Sequence, residues 1–543
     1  MDSLSIRSEP LQQEKNVQHE YLQGRALWAA MGGTCLVVFV HFLDGSILGP
    51  AIPNITDEFE SLHDIGWYGS AYFITNTVFQ PIAGKIFTFL PTKWSLIGFI
   101  LFFEIGSLLC GIASSSAMLI LGRAVAGMGG SGLLIGNQTV IAGLAPLEKR
   151  PVAAPGMLLG PIVGGIITEY STWRWSSKIL TLVPVFYMNL PIGAVAILLL
   201  VFTGIPEQTA KPDWRIVLRG LHHYFDILGC SLCTAATCLL LLVLNIGGDL
   251  LPWNSPILIG MFVFSVILFA FFVYWSAHMG HRALMPPSIA KQRVVWSGAA
   301  TLMFTIGATT VQSYFLPLYF QSVRGESALT GAVYTIPGLP GQILFSLASG
   351  FLIGKIGYYL PWALVGTAVH TVACGLLSRF STATPTPYWI LSQFLAGCGR
   401  GMSLQSPSIA AQIALPQDQI SIASSIVTFG MYLGSALAST AASVAFDNVL
   451  RTEVERRVSN AAAADIVLTG GATEFRHVLS GDELASALDA FAGGLRGVFL
   501  LATGLSGVSF LFAWGMRSSN AGTQRTEEGN VKETKGVIGD NAN

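Results

Sequence analysis

Charge is what this sequence has least of. Only 11% of its 543 residues are Asp, Glu, Lys or Arg, against roughly 25% in soluble domains. The formal net charge of −1 points to no nucleic-acid partner. Cysteine is sparse too. There are seven (Cys35, Cys110, Cys230, Cys233, Cys238, Cys374 and Cys398), all inside apolar stretches. An odd count placed this way excludes an extracellular disulfide framework. Cys230 and Cys233 have the spacing of a redox or zinc half-site, but no second pair or His cluster accompanies them. Small residues for helix packing are the plainer reading. Residues 1–24 lack an apolar run and carry Arg7, Glu9, Glu14, Lys15 and Glu20. No cleavable signal peptide is therefore expected, and the first apolar stretch acts as its own insertion signal.

Apolar length is what the chain has in excess: 52% of residues are hydrophobic and the mean hydropathy is +0.60. Fourteen stretches are each about as long as a bilayer is thick: 27–49, 67–87, 95–113, 118–142, 152–168, 179–203, 225–246, 256–275, 296–320, 328–353, 360–378, 388–412, 421–445 and 495–516. A hydrocarbon core of ~30 Å takes ~20 apolar residues per helix, so the expected fold is an all-α polytopic membrane protein. Eighteen of the 29 Lys and Arg fall on the side shared with the N-terminus, and four in the short loops opposite. Positive charge stays inside, which places both termini in the cytoplasm and requires an even number of spans.

The domains follow from that pattern. Residues 1–26 form a cytoplasmic tail and 27–203 a six-helix bundle. Residues 204–295 hold cytoplasmic linkers and two inserted spans (225–246 and 256–275). A second six-helix bundle occupies 296–516, with a polar outer segment at 446–494 expected to form one or two amphipathic helices. Residues 517–543 read as a disordered tail. A weak repeat supports the division: Gly84-Lys85-Ile86 closes span 2, and Gly354-Lys355-Ile356 closes span 10. Parallel repeats of this kind occur in secondary transporters. The first outer loop, from Pro53 to Gly66, is acidic and carries a glycosylation sequon at Asn54.

Charged residues inside spans are functional candidates by default. His41 and Asp44 share one face of span 1 by their i, i+3 spacing. Asp44 is protonated, paired with Arg123 of span 4, or solvated; a coupling role and a structural charge pair both stand. Gly127, Gly129 and Gly132 match a dinucleotide fingerprint, but that motif needs a βαβ context and these lie in a membrane helix. They read instead as sites of close helix approach. Gly156, Gly160 and Gly164 make a smooth stripe on span 5, beside Pro161 and Gly165. Such a stripe lets a neighbouring helix pack tightly and slide, or simply pack. His222-x-x-x-Asp226 fits an acyl-transfer pattern that nothing else supports, so no enzyme is expected; Asp226 and Glu104 read as structural polar residues. Tyr72, Asn76, Gln80, Gln312, Gln321, Gln342, His370, Arg400 and Gln405 are polar residues in or at the ends of apolar spans. They either line a path for a large amphipathic ligand or make core hydrogen bonds.

In combination these motifs resemble the major facilitator superfamily, in its fourteen-span drug:proton antiporter branch, and above all fungal toxin efflux pumps. The residues that carry the likeness are Leu43-Asp44, Ala51-Ile52-Pro53, Trp67-Tyr68-x-x-x-Tyr72, Gln80-Pro81-x-x-Gly84-Lys85 and Gly122-Arg123 with its glycines. Gly160-Pro161-x-x-Gly164-Gly165, Trp173-Arg174-Trp175, Asn189-Leu190-Pro191-Ile192-Gly193, Leu316-Pro317-Leu318-Tyr319-Phe320-Gln321 and Arg324-Gly325 complete it. The resemblance implies two six-helix bundles plus two central helices. It further implies export of a small amphipathic metabolite, toxin or drug in exchange for inward-moving protons, by a monomer at the plasma membrane (the vacuolar membrane is second choice). Asp44 and Arg123 would serve proton coupling, the span-5 glycines would bias the cycle to antiport, and Gly84, Lys85 and Lys93 would form the inner-loop motif. No cofactor is implied beyond the proton gradient. Two alternatives remain: uptake of basic amino acids or a siderophore, and a non-transporting nutrient sensor. The chain departs from the family in two places. Thr88 and Pro91 replace an acidic residue and a glycine of the inner loop, and the 150–186 region has atypical spacing.

Overall fold

The computed structural model describes residues 22, 24–59, 65–144, 189–207, 211–220, 224–248, 251–356, 358–458, 460–469 and 475–516. The span-5 motif (Gly156, Gly160, Pro161, Gly164, Gly165) and Trp173-Arg174-Trp175 lie outside these residues, as do residues 1–21 and 517–543. The described chain is helical because lipid supplies no hydrogen bonds, so each span must satisfy its backbone internally. Nine helices among the described residues are long and apolar enough to cross a membrane, and two shorter apolar ones cover Asn189–Phe202 and Gly338–Ile353.

The first half contains α1 (Gly24–Phe59), α2 (Ile65–Phe89), α3 (Thr92–Gly111), α4 (Ser116–Leu144) and α5 (Asn189–Phe202). They share a core that includes Leu43, Tyr72, Phe87, Phe103, Leu133 and Leu200. α6 (Ile227–Ile246) and α7 (Pro256–Met279) form an antiparallel pair beside α2, with α7 largely open to lipid. The second half contains α8 (Arg293–Leu318), α9 (Gly338–Ile356), α10 (Leu360–Leu377), α11 (Thr386–Ser403), α12 (Ser406–Ala414), α13 (Ile420–Arg457) and α14 (Gly481–Gly515). The halves touch where α2 packs on α13.

Four elements differ from the sequence reading. α1 continues to Phe59, so the Asn54 sequon lies on helical backbone rather than in a loop opening at Pro53. The stretch 328–353 is broken between Val333 and Gly338, at Pro337, because proline lacks the N–H that would continue the ladder. The stretch 388–412 is likewise broken at Leu404 and Gln405, ahead of Pro407 in the first turn of α12. The outer segment is built largely from the projecting ends of α13 and α14, with short helices Ala461–Thr469 and Phe475–Val478 between them.

Polar groups fasten the ends. Lys93 Nζ caps the C-terminal carbonyls of α5, donating to Val201 O (2.5 Å) and Thr203 O (3.0 Å). Glu207 accepts from Thr92 N and from Thr92 Oγ1 (2.9 Å). Lys211 Nζ reaches Glu207 (2.8 Å), Leu90 O (2.9 Å) and Thr92 Oγ1 (2.6 Å). Burial pulls the Lys211 ammonium below its ordinary value, against the opposing pull of Glu207. The segment after α5 is thereby strapped to the α2–α3 turn. Lys85, 1% exposed, turns toward the inserted pair, with Nζ 3.5 Å from Arg282 O.

Asp226 caps α6 through Gly229 N (2.8 Å) and also accepts from Trp275 Nε1 (2.8 Å) and Leu284 N (3.1 Å). One carboxylate thus joins α6, α7 and the linker to α8. Asp226→Ala leaves these buried donors unpaired, at a cost of ~2–4 kcal/mol. The expected result is a clearly lowered unfolding temperature of the purified protein; an unchanged transition would refute this role.

Candidate functional site

The deepest charges meet in the first half. α1 brings Asp44 and α4 brings Arg123, each 1% exposed, with Arg123 Nη1 2.6 Å from Asp44 Oδ2. Further contacts hold the pair in place. Arg123 Nε donates to Tyr68 O (3.0 Å), and its guanidinium lies 4.6 Å from the Tyr72 ring centroid. Asn189, the first residue of α5, donates from Nδ2 to Asp44 Oδ1 (3.3 Å) and to Ser107 Oγ of α3 (3.2 Å). Ions at this depth persist only when matched and hydrogen-bonded. The glycines of α4 make the assembly possible: a methyl at Gly127 would stand 2.3 Å from Tyr72 O, and one at Gly129 2.3 Å from Phe103 N.

A second carboxyl stands one turn from Ser107. Glu104 is 8% exposed, its Oε1 presses on Gly193 of α5, and neither oxygen has a hydrogen-bond donor. One guanidinium neutralises one carboxylate. A buried carboxyl without a donor is costly to keep and marks a functional candidate.

Tyr72 links this cluster to the other half. Its hydroxyl lies 3.1 Å from His41 Nδ1, while His41 Nε2 lies 2.7 Å from the Tyr432 hydroxyl on α13. His41 therefore bridges the two bundles through neutral hydroxyls. Asn76 and Gln80 continue along α2, with Gln80 Nε2 donating to Asn76 Oδ1 (2.8 Å) and Gln80 Oε1 left without a donor.

The second half has its own polar cluster. Gln312 on α8 donates to His370 Nε2 (3.0 Å) and contacts Cys374 Sγ (2.9 Å), and His370 Nδ1 lies 3.1 Å from Ser506 Oγ on α14. Both nitrogens of His370 are engaged inside one half. Arg400 on α11 is half-buried, and its Nε has no acceptor. Gln342 lies where α9 crosses α11, Gln405 at the break between α11 and α12, and Gln321 in the π-helical turn Tyr319–Val323 that ends α8. The amides of the sequence reading thus fall into separate groups. Tyr432 and Ser107 were not singled out by sequence, since neither sits in a motif. Asn189 was visible in its Asn-Leu-Pro motif, where Pro191 suits the first turn of a helix.

Comparison with known proteins defines the class. The model of the Major Facilitator Superfamily matches residues 34–439. The chain belongs to this superfamily, and is a multi-pass membrane protein with a transporter fold. It is 41% identical over 505 residues to the MFS-type transporter pigP of Monascus ruber, covering 91% of this chain and 87% of that one. It is 39% identical over 527 residues to the efflux pump mokI of Monascus pilosus, covering 94% and 95%. Among solved structures it resembles a double-tryptophan mutant of XylE, with a TM-score of 0.61 at 14% identity, covering 91% of this chain and 97% of that one.

Proposed function

We propose that this protein exports a small amphipathic secondary metabolite from the cytoplasm across the plasma membrane, in exchange for protons moving inward. The observation that carries the reading is the Asp44–Arg123 pair, with Glu104 beside it, deep in one bundle. Such a cluster holds three titratable groups but only one satisfied ion pair, so a proton can reside there and leave. The relatives named as efflux pumps support the direction. Each proton entering down a 100 mV potential releases ~2.3 kcal/mol, enough for a useful concentration gradient of cargo.

Metabolite profiling of a deletion strain against its parent tests the reading. The expected outcome is retention inside the cell of one or a few amphipathic metabolites that the parent excretes, with the same retention when a protonophore collapses the parent's gradient. Identical profiles would refute export, and excretion indifferent to the protonophore would refute coupling.

A further inference from the structure

The two halves repeat one another contact by contact. A methyl at Gly106 on α3 would stand 2.2 Å from Ala126 N on α4, and one at Gly122 on α4 would stand 2.8 Å from Cys110 N on α3. In the second half a methyl at Gly366 on α10 would stand 2.7 Å from Ser403 N on α11, and one at Gly399 on α11 would stand 2.5 Å from His370 N on α10. The same crossing is built from glycines in the same order. Gly122 is followed by Arg123, and Gly399 by Arg400. The surroundings match as well: Arg123 meets backbone at Tyr68 near the start of α2, and Arg400 Nη2 lies 2.9 Å from where a methyl at Gly338 would stand, at the start of α9.

The likeness stops at the counter-charge. α1 supplies Asp44 to Arg123. α8 buries Ser297, Thr301, Thr305 and Gln312, none of them charged, and Gln312 is turned to His370 and Cys374. Among the described residues Arg400 has no carboxylate within ion-pair distance. Its Nε is buried without an acceptor, and the side chain as a whole is half-buried. The positive end of the α9 dipole lies at the same place, a half-helix start of the kind that receives anions in transporters. A cation kept at this depth without a partner is costly, and an anionic ligand would remove that cost.

We propose that Arg400 receives the anionic group of the cargo, which is therefore an amphipathic organic acid carrying a carboxylate or an ionised acidic enol. This names the substrate class of the exporter proposed above and rests on that reading. The test is equilibrium binding of 1-pyrenebutyrate and of its uncharged methyl ester to the purified full-length protein, read by energy transfer from tryptophan to pyrene. The parent is expected to prefer the acid at least tenfold. Arg400→Gln should weaken the acid about tenfold and leave the ester unchanged, and Arg400→Lys should keep most of the preference. Because Arg400 has no partner to orphan, Arg400→Gln should unfold no earlier than the parent; an early transition would show a structural ion pair and overturn the proposal. So would equal binding of acid and ester, a preference that survives Arg400→Gln, or no binding of either probe. Binding needs no gradient, so an acid preference that survives where proton-driven export fails would sink the coupling reading alone.

Discussion

Asp44→Asn is expected to abolish proton-driven export, by a factor on the order of 100 or more, while substrate binding persists. Asparagine keeps the size of the side chain and can still accept from Arg123 and Asn189, but it cannot take up or release a proton. The variant has a second consequence. It leaves the guanidinium of Arg123 buried without a counter-charge, and breaking such a pair from one side costs ~3–5 kcal/mol. Arg123→Ala breaks it from the other side and should cost as much. The double variant Asp44→Asn with Arg123→Gln removes both charges, so its stability should recover in part while its export does not. That separation, coupling lost and stability regained, is what a purely structural pair would not give. Proteoliposomes with an imposed pH difference measure the first quantity and thermal unfolding the second. Parent-level export by correctly folded Asp44→Asn protein would end the assignment.

The sequence made the pair legible because lipid leaves few uses for charge. Asp44 and Arg123 are among the few charges inside the apolar stretches, so their meeting at 2.6 Å could be anticipated from cost alone. Glu104, in an ordinary-looking span, reads from sequence as a structural polar residue. Its significance is positional: it stands one turn from Ser107, which shares Asn189 with Asp44. His41 shows the limit more sharply. Its partner Tyr432 is 391 residues away, on a helix whose sequence reads as routine span, and no local pattern encodes a contact between bundles. The breaks before α9 and within 388–412 were written in Pro337 and Pro407, yet hydropathy averages over single prolines and reports one continuous span. The π-helical turn carrying Gln321 escaped for a similar reason, since apolar content is the same in either helix type.

Gly84→Ala should hinder closure on the side that the charge asymmetry assigns to the cytoplasm, and Ser425→Gly should restore it. On that side the two halves are in contact: Thr139 Oγ1 of α4 lies 3.2 Å from Ser421 Oγ of α13. α2 approaches so closely that a methyl at Gly84 would stand 2.4 Å from Ser425 Oγ, 2.6 Å from Ser425 Cβ and 3.2 Å from Ser421 O. The bulk in the way is mostly one serine side chain, which glycine removes, leaving a contact that small shifts relieve. An exporter working by alternating access must form and break this contact in each cycle. Overpacking of this kind costs ~1–3 kcal/mol, and every 1.4 kcal/mol is tenfold in the ratio of closed to open states, so Gly84→Ala should move that ratio by roughly 5- to 150-fold toward open. Thr139→Cys reports the state directly: its alkylation by an impermeant maleimide from the cytoplasmic face should speed up in Gly84→Ala and return to the parent rate when Ser425→Gly is added. Export should fall and recover in step. If alkylation and export both stayed at parent levels in Gly84→Ala, the α2–α13 contact would be a passive seam, and closure would have to be carried by other helices.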